Sequence, residues 1–323
     1  MKPLLNLKIT DRLKKTKTVP RQLIVIAGPT ATGKTACAIG LAEYYRTEII
    51  SADSRQFYSE MNIGTAKPSP AELKKIPHHF IGHLSVTEDY DAGKFESDTL
   101  SLLEKLFLKH EKVILAGGSG MYIDAVCKGF DAVPPKDPDL REELSAMLNE
   151  NGILVLQKLL FELDPKHYYL TDLNNPHRLI RALEVCISSG KPYSSFRKGE
   201  PAKRNFIITL IGLELERSDL YSRINDRVDK MIQAGLEQEV RSLVEYRSHN
   251  ALNTVGYREL FDCIDGKCTV EGSVEEIKKN TRNFAKRQLT WFRKNKEIKW
   301  FDPARQKEMI KYIDKFSGIK RKQ

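Results

Sequence analysis

A parallel α/β fold, with its sheet flanked by helices and interrupted by a helical insertion, is predicted from three observations. Short apolar runs recur along the chain, helical segments alternate with them, and a glycine-rich turn joins the first run to the first helix. Leu23-Ile24-Val25-Ile26-Ala27 is too short for a helix and has no polar alternation, so it reads as a strand buried on both faces. A helix follows from about Lys34 to Tyr45. Glu48-Ile49-Ile50-Ser51-Ala52 reads as the second strand, a helix near Lys94 to His110 follows, and Val113-Ile114-Leu115-Ala116 is the next strand. Phe206 to Leu213 resumes the sheet, and from Asp219 onward the chain reads as helical.

Between these strands the texture changes. Pro134-Pro135-Lys136-Asp137-Pro138 opens a segment of helical periodicity in which Asn175-Pro176 has the form of an N-cap and first-turn proline, and Gly190 that of a C-terminal stop. The chain therefore divides into a basic extension over 1–20, a core over 21–127 and 202–302, a helical insertion over 128–201, and a basic tail over 303–323.

Charge follows that division. The 323 residues hold 53 Lys and Arg against 43 Asp and Glu, a net of +10. Residues 282–323 carry 14 basic and 4 acidic side chains, and residues 1–20 carry 6 and 1, so the stretch between has a net of −5. Basic ends around a mildly acidic body point to a polyanionic partner. A hydrophobic fraction of 41% is that of an ordinary globular chain, and no run approaches the roughly 20 apolar residues of a membrane span. No membrane partner is expected. Five scattered cysteines without a CxxC pair argue for a reducing, cytoplasmic setting and against structural zinc.

The strongest local signal is Gly28-Pro29-Thr30-Ala31-Thr32-Gly33-Lys34-Thr35, which fits GxxxxGK[ST] between a strand and a helix and makes the fold P-loop NTPase-like. Glycines let successive amides face one anion, the helix start adds partial positive charge, Lys34 bridges phosphate oxygens and Thr35 is the candidate Mg²⁺ ligand. An ATPase or GTPase of this fold carries a Walker B strand ending in Asp. Here Val113 to Ala116 runs into Gly117-Gly118-Ser119-Gly120, and only Glu48 to Ala52 ends in a carboxylate, Asp53. At the carboxyl edge of the sheet Asp53 can serve as a metal ligand, as a base, or as a plain N-cap.

Seven ordered motifs then resemble the tRNA dimethylallyltransferase (IPP transferase) family over about residues 22 to 302. They are the phosphate loop; Ile50 to Tyr58 with Met61 to Pro68; Pro77-His78-His79; Gly117 to Tyr122; Asn175 to Val185; Val255-Gly256-Tyr257-Arg258; and Lys286 to Arg293. The resemblance implies transfer of a dimethylallyl group from dimethylallyl diphosphate to N6 of adenosine 37, next to the anticodon, with Mg²⁺. It implies Asp53 as general base, with Lys34 and Arg258 on the leaving diphosphate. A phosphate loop that grips a leaving group needs no Walker B aspartate. Contacts to tRNA are implied for Asp53, Ser54, Arg55, Gln56, Ser119, His177, Arg178, Arg181, Gly256, Tyr257, Arg258, Lys286, Arg287 and Arg293.

Independently of the resemblance, a helical wheel over Arg282 to Lys294 gathers Lys286, Arg287, Thr290, Arg293 and Lys294 on one face and Phe284, Ala285, Leu289, Trp291 and Phe292 on the other. The basic face suits an RNA backbone, with the anticodon stem-loop as partner. Reaching N6 requires the base to leave its stack. His78, His79 and His83 lack metal-site spacing, and Trp300 and Tyr312 read as packing residues. A monomer is the expected form. The rival functions are a phosphate-loop metabolite or nucleoside kinase, an isopentenyltransferase acting on free adenine nucleotides, and an RNA-binding protein with a relic loop.

Overall fold

Strand β1 (Gln22–Ala27) is the centre of the fold, and helix α1 (Lys34–Tyr45) leaves it through the glycine-rich turn. The computed structural model describes residues 21–316 apart from 132 and 198; the basic extension and Lys320-Arg321-Lys322 lie outside the described residues. In chain order follow β2 (Ile49–Ser51), α2 (Pro70–Lys75), β3 (His78–His79), α3 (Ala92–Leu106), β4 (Lys112–Gly117) and α4 (Gly120–Lys128). Then come five helices, α5 (Pro138–Asn151), α6 (Ile153–Leu163), α7 (Pro165–Tyr168), α8 (Pro176–Ser189) and α9 (Tyr193–Phe196). The chain returns through β5 (Ile207–Leu213), α10 (Arg217–Gln233), α11 (Leu236–Arg241), α12 (Tyr257–Ile264), α13 (Val270–Arg293), β6 (Lys299–Phe301) and α14 (Gln306–Lys315).

The described residues form two compact units, one ending at Cys127 and resuming at Arg204, the other Lys128–Lys203. In the first, six strands make one sheet of order β3-β2-β4-β1-β5-β6, parallel throughout. Both faces are covered, which is why the strands are apolar without alternation. Leu23 and Val25 point into the cluster with Phe57, Phe95 and Ile277, while Ile24 and Ile26 point into the cluster with Leu41, Met309 and Ile313.

The second unit is all helical around Leu144, Leu156, Leu160, Leu179 and Leu183. Asn175 Oδ1 accepts the Arg178 amide at 3.2 Å, Pro176 opens α8, and Gly190 closes it at φ 65°, as the sequence predicts.

Two strands escape the sequence, both at sheet edges. β3 has two residues, both histidine, and β6 is three residues that pair with Ile211, Gly212 and Leu213. Neither is long enough to show a pattern. Trp300 accordingly sits on a strand, packed over Gly212, while Tyr312 packs on Phe301. The tail is also corrected. Over 306–315 it is a helix whose Met309 and Ile313 are fully buried against the sheet, so this stretch belongs to the core. Burying two such side chains stabilises by roughly 2 kcal/mol each.

The three neighbouring histidines separate. His79 Nε2 lies 2.7 Å from Glu48 Oε2, His78 Nδ1 bonds Ile76 O, and His83 packs edge-on against Phe57 and Tyr90. Among the described residues no group of three or more His, Cys, Asp or Glu could hold a metal ion.

Candidate active site

The carboxyl end of the parallel sheet opens into a cleft of about 460 Å³. Thr30 and Lys34 enter it after β1, Asp53, Ser54 and Arg55 after β2, and Gly118 to Tyr122 after β4. Ile224, Arg227, Val228 and Met231 come from α10, Val255, Gly256 and Arg258 from the start of α12, and Ile277, Phe284, Arg287, Gln288 and Trp291 from α13. Its lining holds five basic side chains (Lys34, Arg55, Arg227, Arg258, Arg287) and one acidic, Asp53. A body of net negative charge thus gathers cations where a ligand would sit.

The phosphate loop has the geometry its sequence demands. Gly33 caps α1 at φ 88°, and Ala31 also lies in the left-handed region at φ 65°. Thr32 Oγ1 donates to Pro29 O at 2.8 Å, and Lys34 Nζ donates to the same carbonyl at 2.6 Å. Burial lowers the Lys34 pKa to about 8; Asp53 opposes that shift and Arg227 adds to it. Arg227 is likewise depressed by burial and supported by Asp53. Asp53 stands within electrostatic reach of three cations, Lys34, Arg55 and Arg227. Its Oδ1 accepts the Arg55 amide at 3.1 Å, and its other oxygen has no hydrogen bond among the described residues. It caps no helix.

The glycines at the end of β4 and just after it serve close packing. A Cβ on Gly117 would collide with Ala52 O, one on Gly118 with the Gln288 amide, and one on Gly120 with the Trp291 indole. Trp291 Nε1 also donates to Asp124 Oδ2 at 2.9 Å. Ser119 Oγ accepts the Ser54 amide at 2.9 Å and lies 3.1 Å from Ser54 Oγ, tying the two motifs across the cleft floor.

Several residues expected at the RNA are committed elsewhere. Gln56 is buried, and its amide bonds Ser51 Oγ, Thr65 O and Ala66 O, leaving neither end for a base. Arg55 lines the cleft, but its guanidinium donates to the carbonyls of Asn250, Ala251 and Asn253. Tyr257 is fully buried, with its hydroxyl on Glu239, and Gly256 at φ 96° gives its amide to Glu259. Arg181 donates to Glu184 and to Pro134 O rather than standing beside Arg178; Glu184 is a fully buried carboxylate that needs the partner. His177 and Arg178 are exposed.

Helix α13 differs from its wheel. The buried positions near its end are Ala285, Gln288 and Phe292, whereas Phe284 and Trp291 are each 40% exposed at the cleft. Arg287 lies 5.8 Å over the Phe284 ring, and Lys286, Arg287 and Arg293 are exposed, with Arg293 paired to Glu214 at 3.2 Å.

Sequence reasoning missed Arg227 and Gln288. Arg227 is one of three arginines on α10, and only its place between the buried Ile224 and Val228 hints that it turns inward. Gln288 stood in a quoted motif, and a polar residue between Ala285 and Phe292 on a buried stripe was the available signal.

The IPP transferase family model matches residues 56–295. The chain is 53% identical over 293 residues to the tRNA dimethylallyltransferase of Christiangramia forsetii, covering 90% of this chain and 97% of that one. It is 46% identical to tRNA dimethylallyltransferase 1 of Bacteroides fragilis, covering 91% and 97%. Among solved structures it is similar to the tRNA isopentenylpyrophosphate transferase of Bacillus halodurans, with TM-score 0.67 and 36% identity over 92% of this chain and 96% of that one. A eukaryotic dimethylallyltransferase acting on tRNA gives TM-score 0.79 at 27% identity, covering 94% and 81%.

Proposed function

The chain belongs to the IPP transferase family and transfers a dimethylallyl group to tRNA; on that premise we propose that dimethylallyl diphosphate and adenosine 37 react in the cleft above the sheet. The observation that carries this reading is one carboxylate, Asp53, with an oxygen free among five cations, beside the phosphate loop.

An adenine amino group is a weak nucleophile because its lone pair is delocalised into the ring. Asp53 accepts the N6 proton as the N6–C1 bond forms, which is worth about 10² to 10⁴ in rate. The C1–O bond breaks, its electron pair stays on the diphosphate, and Lys34, Arg227 and the amides at the start of α1 stabilise that charge. Arg258 reaches the same leaving group. Ile224, Val228, Met231, Val255 and Ile277 are the apolar wall for the five-carbon chain and exclude water from it.

Mg²⁺ fits this donor set. Thr35 Oγ1 has no hydrogen bond among the described residues, and an ion that keeps waters and phosphate oxygens needs few protein ligands. When bound it would supply charge neutralisation on the leaving diphosphate.

The anticodon stem-loop docks on the exposed cations of α13, and the protein acts as a cytoplasmic monomer. Among the described residues no helix is long and apolar enough to cross a membrane. The kinase, free-nucleotide and relic-loop readings are set aside, because similar proteins carry the names of tRNA dimethylallyltransferases. The test is mass spectrometry of nucleosides after incubation of an anticodon stem-loop bearing consecutive adenosines with dimethylallyl diphosphate and Mg²⁺. N6-dimethylallyladenosine is expected with the wild-type protein and not with Asp53→Asn, while stem-loop affinity stays within about threefold. Equal product from both proteins would remove Asp53 from the chemistry.

A further inference from the structure

Gln288 joins three parts of the cleft that are far apart in sequence. Its Oε1 accepts the Thr30 amide of the phosphate loop at 2.8 Å, and its Nε2 donates to Gly118 O at 2.9 Å. The side chain is 7% exposed, and a Cβ at position 118 would collide with it. Both ends of the amide are therefore in use, in a setting too tight to reorient. Only a carboxamide offers donor and acceptor in this geometry; a glutamate would accept only, a lysine would donate only, and a leucine would leave both backbone groups unsatisfied.

We propose that Gln288 is a positioning residue for the leaving-group site, holding the phosphate loop at Thr30 so that the remaining loop amides face the diphosphate. This rests on the reading of the loop as the diphosphate site. Gln288 touches no reacting atom and acts through Thr30. A loop whose Thr30 amide is tied back to α13 has fewer conformations to lose when an anion binds, so the bond contributes to anion affinity. The same residue links that affinity to the helix bearing Arg287 and Trp291, so a displacement of α13 by docked RNA would be transmitted to the loop. By linkage, a stem-loop that tightens pyrophosphate binding is itself tightened by pyrophosphate to the same factor.

The experiment measures binding of inorganic pyrophosphate to the full chain by calorimetry, with and without anticodon stem-loop, together with steady-state kinetics and thermal midpoints. Gln288→Met keeps the volume and loses both hydrogen bonds. It should raise the pyrophosphate Kd and the KM for dimethylallyl diphosphate about tenfold, with kcat within about threefold and stem-loop affinity alone within about twofold. The effect of stem-loop on pyrophosphate affinity should disappear. Gln288→Glu keeps an acceptor for Thr30 but adds negative charge beside the anion, so its loss should exceed that of Gln288→Met even where the two are equally stable. Wild-type pyrophosphate affinity in Gln288→Met overturns the proposal. So does a parallel loss of kcat, stem-loop affinity and thermal midpoint, which marks a merely structural residue. Lys34→Ala separates the two levels. If it weakens pyrophosphate and Gln288→Met does not, the positioning role alone fails; if neither does, the loop is not the diphosphate site and both fall.

Discussion

Tyr257 donates its hydroxyl to Glu239 at 2.6 Å, and the same carboxylate accepts the amides of Asn62, Ile63 and Gly64 at 2.8 to 3.0 Å. Two motifs nearly 200 positions apart are thereby explained by one acceptor. The phenol is held far above its ordinary pKa by burial and by Glu239, so it remains a donor over the whole working range. Glu239→Ala should destabilise by about 3 kcal/mol, because four donors lose their acceptor together. Tyr257→Phe should cost about 1 kcal/mol. Chemical denaturation of both variants checks the order, and a larger loss in Tyr257→Phe would contradict it.

The Lys34 pKa near 8 gives diphosphate binding a pH dependence. Below that value the ammonium is charged and holds the anion; as pH rises through it the charge is lost in the free enzyme. The KM for dimethylallyl diphosphate should therefore climb above about pH 8, towards tenfold per unit, while Lys34→Met removes that break. For stability the sign is opposite. The folded pKa lies below the unfolded value of 10.5, so the cost of the buried charge is present below pH 8 and is relieved between the two values. A pH profile of KM in both proteins is decisive, and a flat wild-type profile would count against the loop lysine.

Arg227 and Arg258 both line the cleft, and Arg227 stands within electrostatic reach of both Asp53 and Lys34. Arg227→Gln is expected to lower kcat/KM for dimethylallyl diphosphate by about a hundredfold, and Arg227→Lys by less, since a point charge replaces a planar fork. Arg258→Gln should be the milder of the two. Kinetics with the diphosphate varied at saturating tRNA would show the reverse order if Arg258 is the principal clamp.

The basic face of α13 should set the salt dependence of RNA binding. Each phosphate contact contributes about 0.7 to 0.9 to the slope of log affinity against log salt. Replacing Lys286 and Arg287 by Gln should flatten that slope by nearly two such contacts. Arg293 is already paired with Glu214, so Arg293→Gln should add less than a full contact. Stem-loop titrations from low to physiological salt test this, and an unchanged slope removes this face from the docking surface.

The sequence alone determined the elements whose signal is local. β1, β4 and β5 are apolar runs because strands covered on both faces must be, α8 carries its own caps, and the phosphate loop is a contiguous backbone device. Asp53 was legible for the same reason, standing at the end of a strand where ligands of such sheets bind. Tertiary structure decided which side chains were free. Gln56, Arg55, Tyr257 and Arg181 have the chemistry of RNA contacts, yet the side chain of each is occupied by hydrogen bonds within the protein. Arg227 and Gln288 reached the cleft because α10 and α13 pack beside it. The Thr30–Gln288 bond spans 258 positions, and no window along the chain contains both partners. The edge strand β6 and helix α14 are of the same kind, since only the sheet and core they complete give them a reason to be ordered.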